Sequence, residues 1–217
     1  MPPAQPTSDI HICNLALDRI GQREIASISA PTSKEEVVCA RHYSQTRREL
    51  LESFVFNFSK KLVTLTVNAE IPVFGFAAAY ALPNDFLRLL ALGDYTINED
   101  VGPGLFDISN GFIYTDSGET DEDDNTTLNL AYISDATVVG KYNPLFIELF
   151  KLKLAQNISY KFTLKASLLR DLEAEYEMVA VRAAAIQGQQ VRPRRVERSR
   201  WVAARRGGGQ RDNTRLP

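Results

Sequence analysis

Two cysteines, two histidines, two methionines and a single tryptophan are all that 217 residues hold of those four types. Each shortage closes off a class of protein. Cys13 and Cys39 are too few to lace a disulfide scaffold, and the opening "MPPAQPTSDI" has neither the basic start nor the apolar run of a secretory signal. No apolar stretch reaches the length that spans a bilayer. The expectation is a soluble chain made in a reducing compartment, with both thiols free. With two His and no G-x-S-x-G, there is little from which to build a nucleophile and its base. The run "RRGGGQ" follows no strand, opens no helix and lacks the Lys-Ser/Thr ending of a phosphate loop, so it reads as a flexible linker. No internal repeat is present. Neither a catalytic activity nor a cofactor is expected.

The four scarce ligands do sit suggestively, as His11, Cys13, Cys39 and His42. Two Cys and two His invite a zinc reading, but the spacing argues against it. Two residues apart on a helix, His11 and Cys13 point about 200° apart. Cys39 and His42 share a face, and two ligands are too few. They read as two small core thiols and two surface or boundary imidazoles, with no metal.

What is present starts with charge. The whole chain sums to −2, but residues 188–217 carry nine Arg against Glu197 and Asp212, a net +7, which leaves −9 for the first 187 residues. An acidic body with a basic end points to an end that works on another surface.

Along the chain, residues 1–8 are Pro-rich and expected to be mobile. "SDIHICNLALDRIG" predicts a helix with Ser8 as its N-cap and Gly21 as its C-terminal cap; Ile10, Cys13, Leu17 and Ile20 recur at helical spacing. "SKEE" opens a second helix through a capping box of Ser33 and Glu36. From about Lys60 to Gly140 the grammar changes to short apolar runs, "KLVTLTV", "FLRLLAL", "GFIYT" and "TLNLAYI", set apart by Gly, Pro, Asn and Asp. Asn110-Gly111 between apolar flanks predicts a type I′ hairpin turn. A third helix follows, with Asn143 as cap and Pro144 at its first position. A fourth, rich in Ala, Leu and Glu, is expected to end at Gly188.

Strands grouped between helices predict an α+β protein. It is expected to be a helical bundle built from both ends of the chain (9–59 and 141–187), with an inserted antiparallel β segment (60–140) and an extended C-terminal arm (188–217).

Two charged segments are candidate contact sites. "DSGETDEDDN" offers Asp116, Glu119, Asp121, Glu122, Asp123 and Asp124, without the alternating oxygens, Gly and closing Glu of a calcium loop. It reads as an exposed hairpin tip or as an acidic contact for a partner. The arm surrounds Trp201 and Val202 with Arg194, Arg195, Arg198, Arg200, Arg205 and Arg206. Arg-rich segments bind nucleic acid through phosphate charge. A purely electrostatic tail needs neither Trp nor Val, however, and Trp and Arg dominate protein interface hot spots, so protein docking is the favoured reading.

These pieces together resemble the tail tubular protein A family of short-tailed bacteriophages, the head-to-tail adaptors. "ICNLALDRIGQREIASIS", 12–29, is similar to the family's opening "N-x-A-L-x-x-I-G" helix, and Tyr43, Arg48 and Leu50 to its second helix. "FNFSKK" follows; where the family usually has a Trp before Asn-Phe-Ala, this chain has Phe56, Asn57, Phe58 and Ser59. "AYALPNDFLRL", 79–89, looks like a Tyr-x-Leu-Pro-x-Asp-x-Leu-Arg signature, "YNPLFIELFKLKLA" like the third helix and "SRWVAARRG" like the closing arm. The resemblance implies a virion neck protein that catalyses no reaction. It implies a homo-oligomeric ring, expected to be twelve copies, under the portal protein. The arm would dock on the portal, a tail tube or nozzle protein would build on the ring, the acidic segment being the candidate for that contact, and DNA would pass through without specific binding. Such a protein is made in the host cytoplasm and ends in the virion.

Overall fold

The computed structural model describes residues 8–68, 75–93, 95–96, 105–120, 126–162 and 166–190. Among the described residues there are four α-helices and eight strands, in the order α1 (Asp9–Arg19), α2 (Lys34–Ser53), β1 (Lys60–Thr66), β2 (Ala78–Ala81), β3 (Phe86–Leu92), β4 (Tyr95–Thr96), β5 (Phe106–Ser109), β6 (Phe112–Thr115), β7 (Glu119–Thr120), β8 (Thr126–Ser134), α3 (Pro144–Phe162) and α4 (Ala166–Gln190). The class is α+β.

Local chemistry sets the helix ends. Ser8 Oγ accepts from the His11 N–H and opens α1. Past its C-terminus, Gly21 takes φ +66°, the Gly21 N–H donates to Asp18 O and the Gln22 N–H to Leu17 O. This 5→2 and 6→1 pair is a Schellman cap, which a residue with a Cβ adopts only under strain. The capping box is complete at α2: Ser33 Oγ accepts from the Glu36 N–H at 3.2 Å, and Glu36 Oε2 from the Ser33 N–H at 3.0 Å. Asn143 Oδ1 accepts from the Phe146 N–H at 2.7 Å to open α3.

α3 is the axis of the bundle, packing against α1, α2 and α4. The sequence predicts one apolar stripe on each helix. On α3, Phe146, Ile147, Leu149, Phe150, Leu152, Leu154, Ala155 and Ile158 are all buried, because three neighbours cover three sides. α4 also departs from expectation: it continues through Gly188 to Gln190. A helical Gly costs about 1 kcal/mol relative to Ala.

The strands form two antiparallel sheets. The larger runs β1-β8-β3-β4, with β7 also on β8; the smaller runs β2-β6-β5. β5 and β6 are the expected hairpin, closed by Asn110 at φ 51° and Gly111 at φ 80°, both positive as a type I′ turn requires. The larger sheet is a middle layer. Ile133 belongs to the bundle core, against which Leu87 and Leu90 also pack. From the other face Leu65, Leu89, Leu92, Leu128, Leu130 and Tyr132 bury against Ala78, Tyr80 and Ile113 of the smaller sheet. Burial on both faces is why β3 reads "FLRLLAL" with no clean alternation. The β segment leaves and rejoins the bundle at one point, where Ser59 O accepts from both the Ser134 N–H (2.8 Å) and Ser134 Oγ (2.9 Å).

Candidate functional site

The residues expected to bind a portal, Arg194, Arg195, Arg198, Arg200, Trp201, Val202, Arg205 and Arg206, lie outside the described residues. The base of the arm is described. Near the C-terminal end of α4, Gln187 Oε1 accepts from the Val55 N–H at 3.2 Å, fixing that end beside the link from α2 to β1. Gln187 Nε2 is buried and unpartnered. Farther up, Arg19 of α1 pairs with Glu175 of α4.

In the acidic segment, Asp116 Oδ1 accepts from the Ala77 N–H at 2.6 Å and so helps to fix the start of β2. Glu119 sits in β7, opposite Thr127 of β8. Asp121, Glu122, Asp123 and Asp124 lie outside the described residues.

Three of the stretches that carry the resemblance, "FNFSKK", "AYALPNDFLRL" and "YNPLFIELFKLKLA", meet at the junction of bundle and sheet, and "SRWVAARRG" lies outside the described residues. Phe56 and Phe58 stack at 5.5 Å between ring centroids and set their faces and edges against Phe146 at 5.0 and 5.1 Å. Tyr142 closes on Phe146 at 4.8 Å, and Phe146 in turn packs on Phe150 at 5.6 Å. Five rings thus plug the end of the bundle.

Beside the plug is a charge clamp that spacing along the chain did not reveal. Asp135, just after β8, takes Arg47 Nε on Oδ1 and both Arg47 Nη2 and Arg48 Nε on Oδ2. Burial alone would raise the Asp135 carboxyl; the hydrogen bonds and charges of the two arginines bring it below its ordinary value. Burial likewise opposes the charge on Arg47, and Asp135 reverses that, so its pKa is raised.

The Tyr-x-Leu-Pro-x-Asp-x-Leu-Arg stretch lies on the other side of the same junction. Asp85 pairs with Lys61 and accepts from Tyr132 Oη at 3.0 Å. Its burial is outweighed by Lys61 and Tyr132, and its carboxyl is lowered. Asp85 O accepts from the Asp135 N–H at 2.8 Å, and Arg88 Nη1 donates to Glu52 O at the end of α2. Tyr80 is fully buried, with its hydroxyl unpartnered.

Glu36 is a third anchored carboxylate. Its Oε2 accepts from Thr32 N–H (2.7 Å), Thr32 Oγ1 and Ser33 N–H, and its Oε1 from the N–H groups of Ala26 and Ser27. The backbone donors, Thr32 first, hold its pKa at about 2.

Cys13 and Cys39 are buried together, and the hydrogen bond between them, with burial, pushes the Cys13 thiol up. His11 is exposed and His42 half-buried. Among the described residues no three of His, Cys, Asp and Glu stand close enough to hold a metal ion. No helix among them is long and apolar enough to cross a membrane. A cleft of about 380 Å³ opens at the junction, walled by Phe58, Lys61, Asn84, Asp85, Thr137 and Lys141. Both carboxylates that line it are engaged, Asp85 by Lys61 and Tyr132 and Asp135 by Arg47 and Arg48, so the arrangement ties the elements together. Compared with known proteins, the chain matches no protein-family model and no curated protein.

Proposed function

We propose that this chain is a structural adaptor of a short-tailed phage neck, forming a ring under the portal and docking by its C-terminal arm. One observation carries the reading: α4 ends at Gln190 and leads into 27 residues that hold nine Arg and the only Trp of the chain. Such a segment has too little apolar surface to pack alone, so ordering it takes a partner. Ordering costs on the order of 1–2 kcal/mol per residue, and indole burial with charge-assisted Arg contacts supplies the offset. A ring multiplies weak arms, because each docked subunit positions the next.

The resembling stretches support the same reading by what they do in the fold. They build the aromatic plug and the Asp85 contacts, which join the bundle to the sheet, and the cap that ends α1. The net −9 of residues 1–187 suits a passage that must repel phosphate and let DNA slide.

The test mixes full-length chain, a chain ending at Gln187 and Trp201→Ala with the portal ring, and images the products. Full-length chain decorates the portal, the truncated chain does not, and Trp201→Ala weakens docking by roughly 30-fold or more. A truncated chain that still decorates the portal overturns the proposal. So does salt-sensitive DNA binding by the arm that survives Trp201→Ala, which would instead make the arm a nucleic-acid binder.

A further inference from the structure

α4 has two apolar seams on opposite sides. Leu172, Tyr176, Val179 and Ala183 face the bundle core. Ala174, Met178, Val181 and Ala185 repeat the same 4, 3, 4 spacing two residues out of phase, about 200° around the helix. All four are exposed, Met178 by 68% and Val181 by 71%. A helix that is apolar on two faces is built to be covered on both. Glu173 and Glu177 run along one side of this outer ridge and Arg182 lies on the other, all three exposed.

The larger sheet has a matching hollow. The face that carries Ile133 into the bundle core continues past the helices through Ala131 and Asn129, paired with Leu62 and Thr64. There it is open. Leu62 is 77% exposed, and with Lys60, Thr64, Ala91, Asn129 and Ala131 it lines a groove of about 470 Å³. The groove has a basic rim at Lys60, and the Glu173–Glu177 side of the ridge is acidic.

We propose that the outer ridge of α4, Met178 and Val181 with Glu173 and Glu177 along one side, docks into the Leu62 groove of a second copy of this chain. Ridge and groove belong to different surfaces of one molecule, so the contact is head-to-tail, and repetition of it closes a ring when the rotation between copies allows. Charge selects this occupant. An Arg-rich peptide, including the arm of the chain itself, would bring like charge to Lys60, while the Glu173–Glu177 side of the ridge brings the opposite sign. The inference deepens the proposed ring and rests on that reading only for closure.

The test needs no portal. Full-length chain is followed by light scattering on a sizing column, alone and as Leu62→Asp, Met178→Asp and an equimolar mixture of the two variants. Far-UV circular dichroism checks that each variant keeps the fold. Wild type is expected to form a discrete oligomer, and each variant alone to stay monomeric, its association weakened about ten-fold or more. The mixture is expected to give dimers and no larger species, because one intact groove then meets one intact ridge. Lys60→Glu weakens assembly, and adding Glu177→Lys restores it. A monomeric wild type at the highest soluble concentration overturns the inference, although docking of the arm on a portal would still stand. So does an oligomer that Leu62→Asp leaves intact, which would mean that α4 pairs with α4. Loss of the wild-type oligomer on truncation at Gln190 would put the arm in the groove instead, and overturns it too.

Discussion

Arg47 and Asp135 form a two-point ion pair across 88 residues of sequence, with Nε to Oδ1 at 2.8 Å and Nη2 to Oδ2 at 3.0 Å. Both side chains are about nine-tenths buried. Asp135→Asn would leave the Arg47 guanidinium buried without its counter-charge, a change that costs about 3–5 kcal/mol. Arg48, which shares the same carboxylate, is largely exposed, so Arg48→Ala is expected to cost about 1 kcal/mol or less. Urea melts of the two variants check the contrast. Equal losses would mean that the clamp depends on the number of charges rather than on burial.

Phe146 is fully buried and touches four other rings, Phe56, Phe58, Tyr142 and Phe150. Phe146→Ala opens a cavity where α3 meets the junction, and about 3–5 kcal/mol of stability is expected to go. Thermal unfolding measures it. A loss under 1 kcal/mol would show that the plug collapses around the gap.

Glu36 predicts an acid signature. Its pKa falls from an ordinary 4.5 to about 2 in the folded chain, chiefly through the Thr32 and Ser33 backbone donors. A depressed carboxyl contributes fully above the unfolded value and loses its contribution as pH drops through the folded one. The stability gap between wild type and Glu36→Gln is therefore widest above pH 4.5 and narrows towards about 2. Chemical unfolding at a series of pH values reads it; a gap constant over that range removes Glu36 as the source.

Tyr80 gives a prediction of opposite sign. Its hydroxyl is buried with no hydrogen-bond partner, and a Cβ on Gly118 would stand 2.5 Å from it. Removing an unpartnered polar atom relieves its desolvation, so Tyr80→Phe is expected to stabilise by about 1 kcal/mol. Gly118→Ala should destabilise by pressing on the same oxygen and on Thr126. Calorimetry on both variants decides. A destabilised Tyr80→Phe would mean that the hydroxyl is satisfied after all.

The elements most legible in the sequence are those fixed by neighbours within five residues. Ser8, the Ser33–Glu36 box, Asn143 and the Asn110-Gly111 turn all act at that range, and each sits where its spacing placed it. β2 was missed because "AAYA" has little intrinsic strand preference and becomes a strand only by pairing with β6. The split into two sheets, and Asp135 reaching back to Arg47, depend on partners tens of residues away, which local pattern does not encode. Of the candidate site, the charge of the arm stood out at once in composition. The outer seam of α4 did not, because Ala174 and Ala185 count as helix formers before they count as surface.

The Val55–Gln187 hydrogen bond ties the tail end of α4 to the segment that opens the sheet. Any tension on the last 27 residues of the chain thus enters the body next to its hinge rather than at a free corner. Phe56, Phe58 and the Ser59–Ser134 knot stand directly behind that bond. Pulling therefore loads the joint between helices and sheet first.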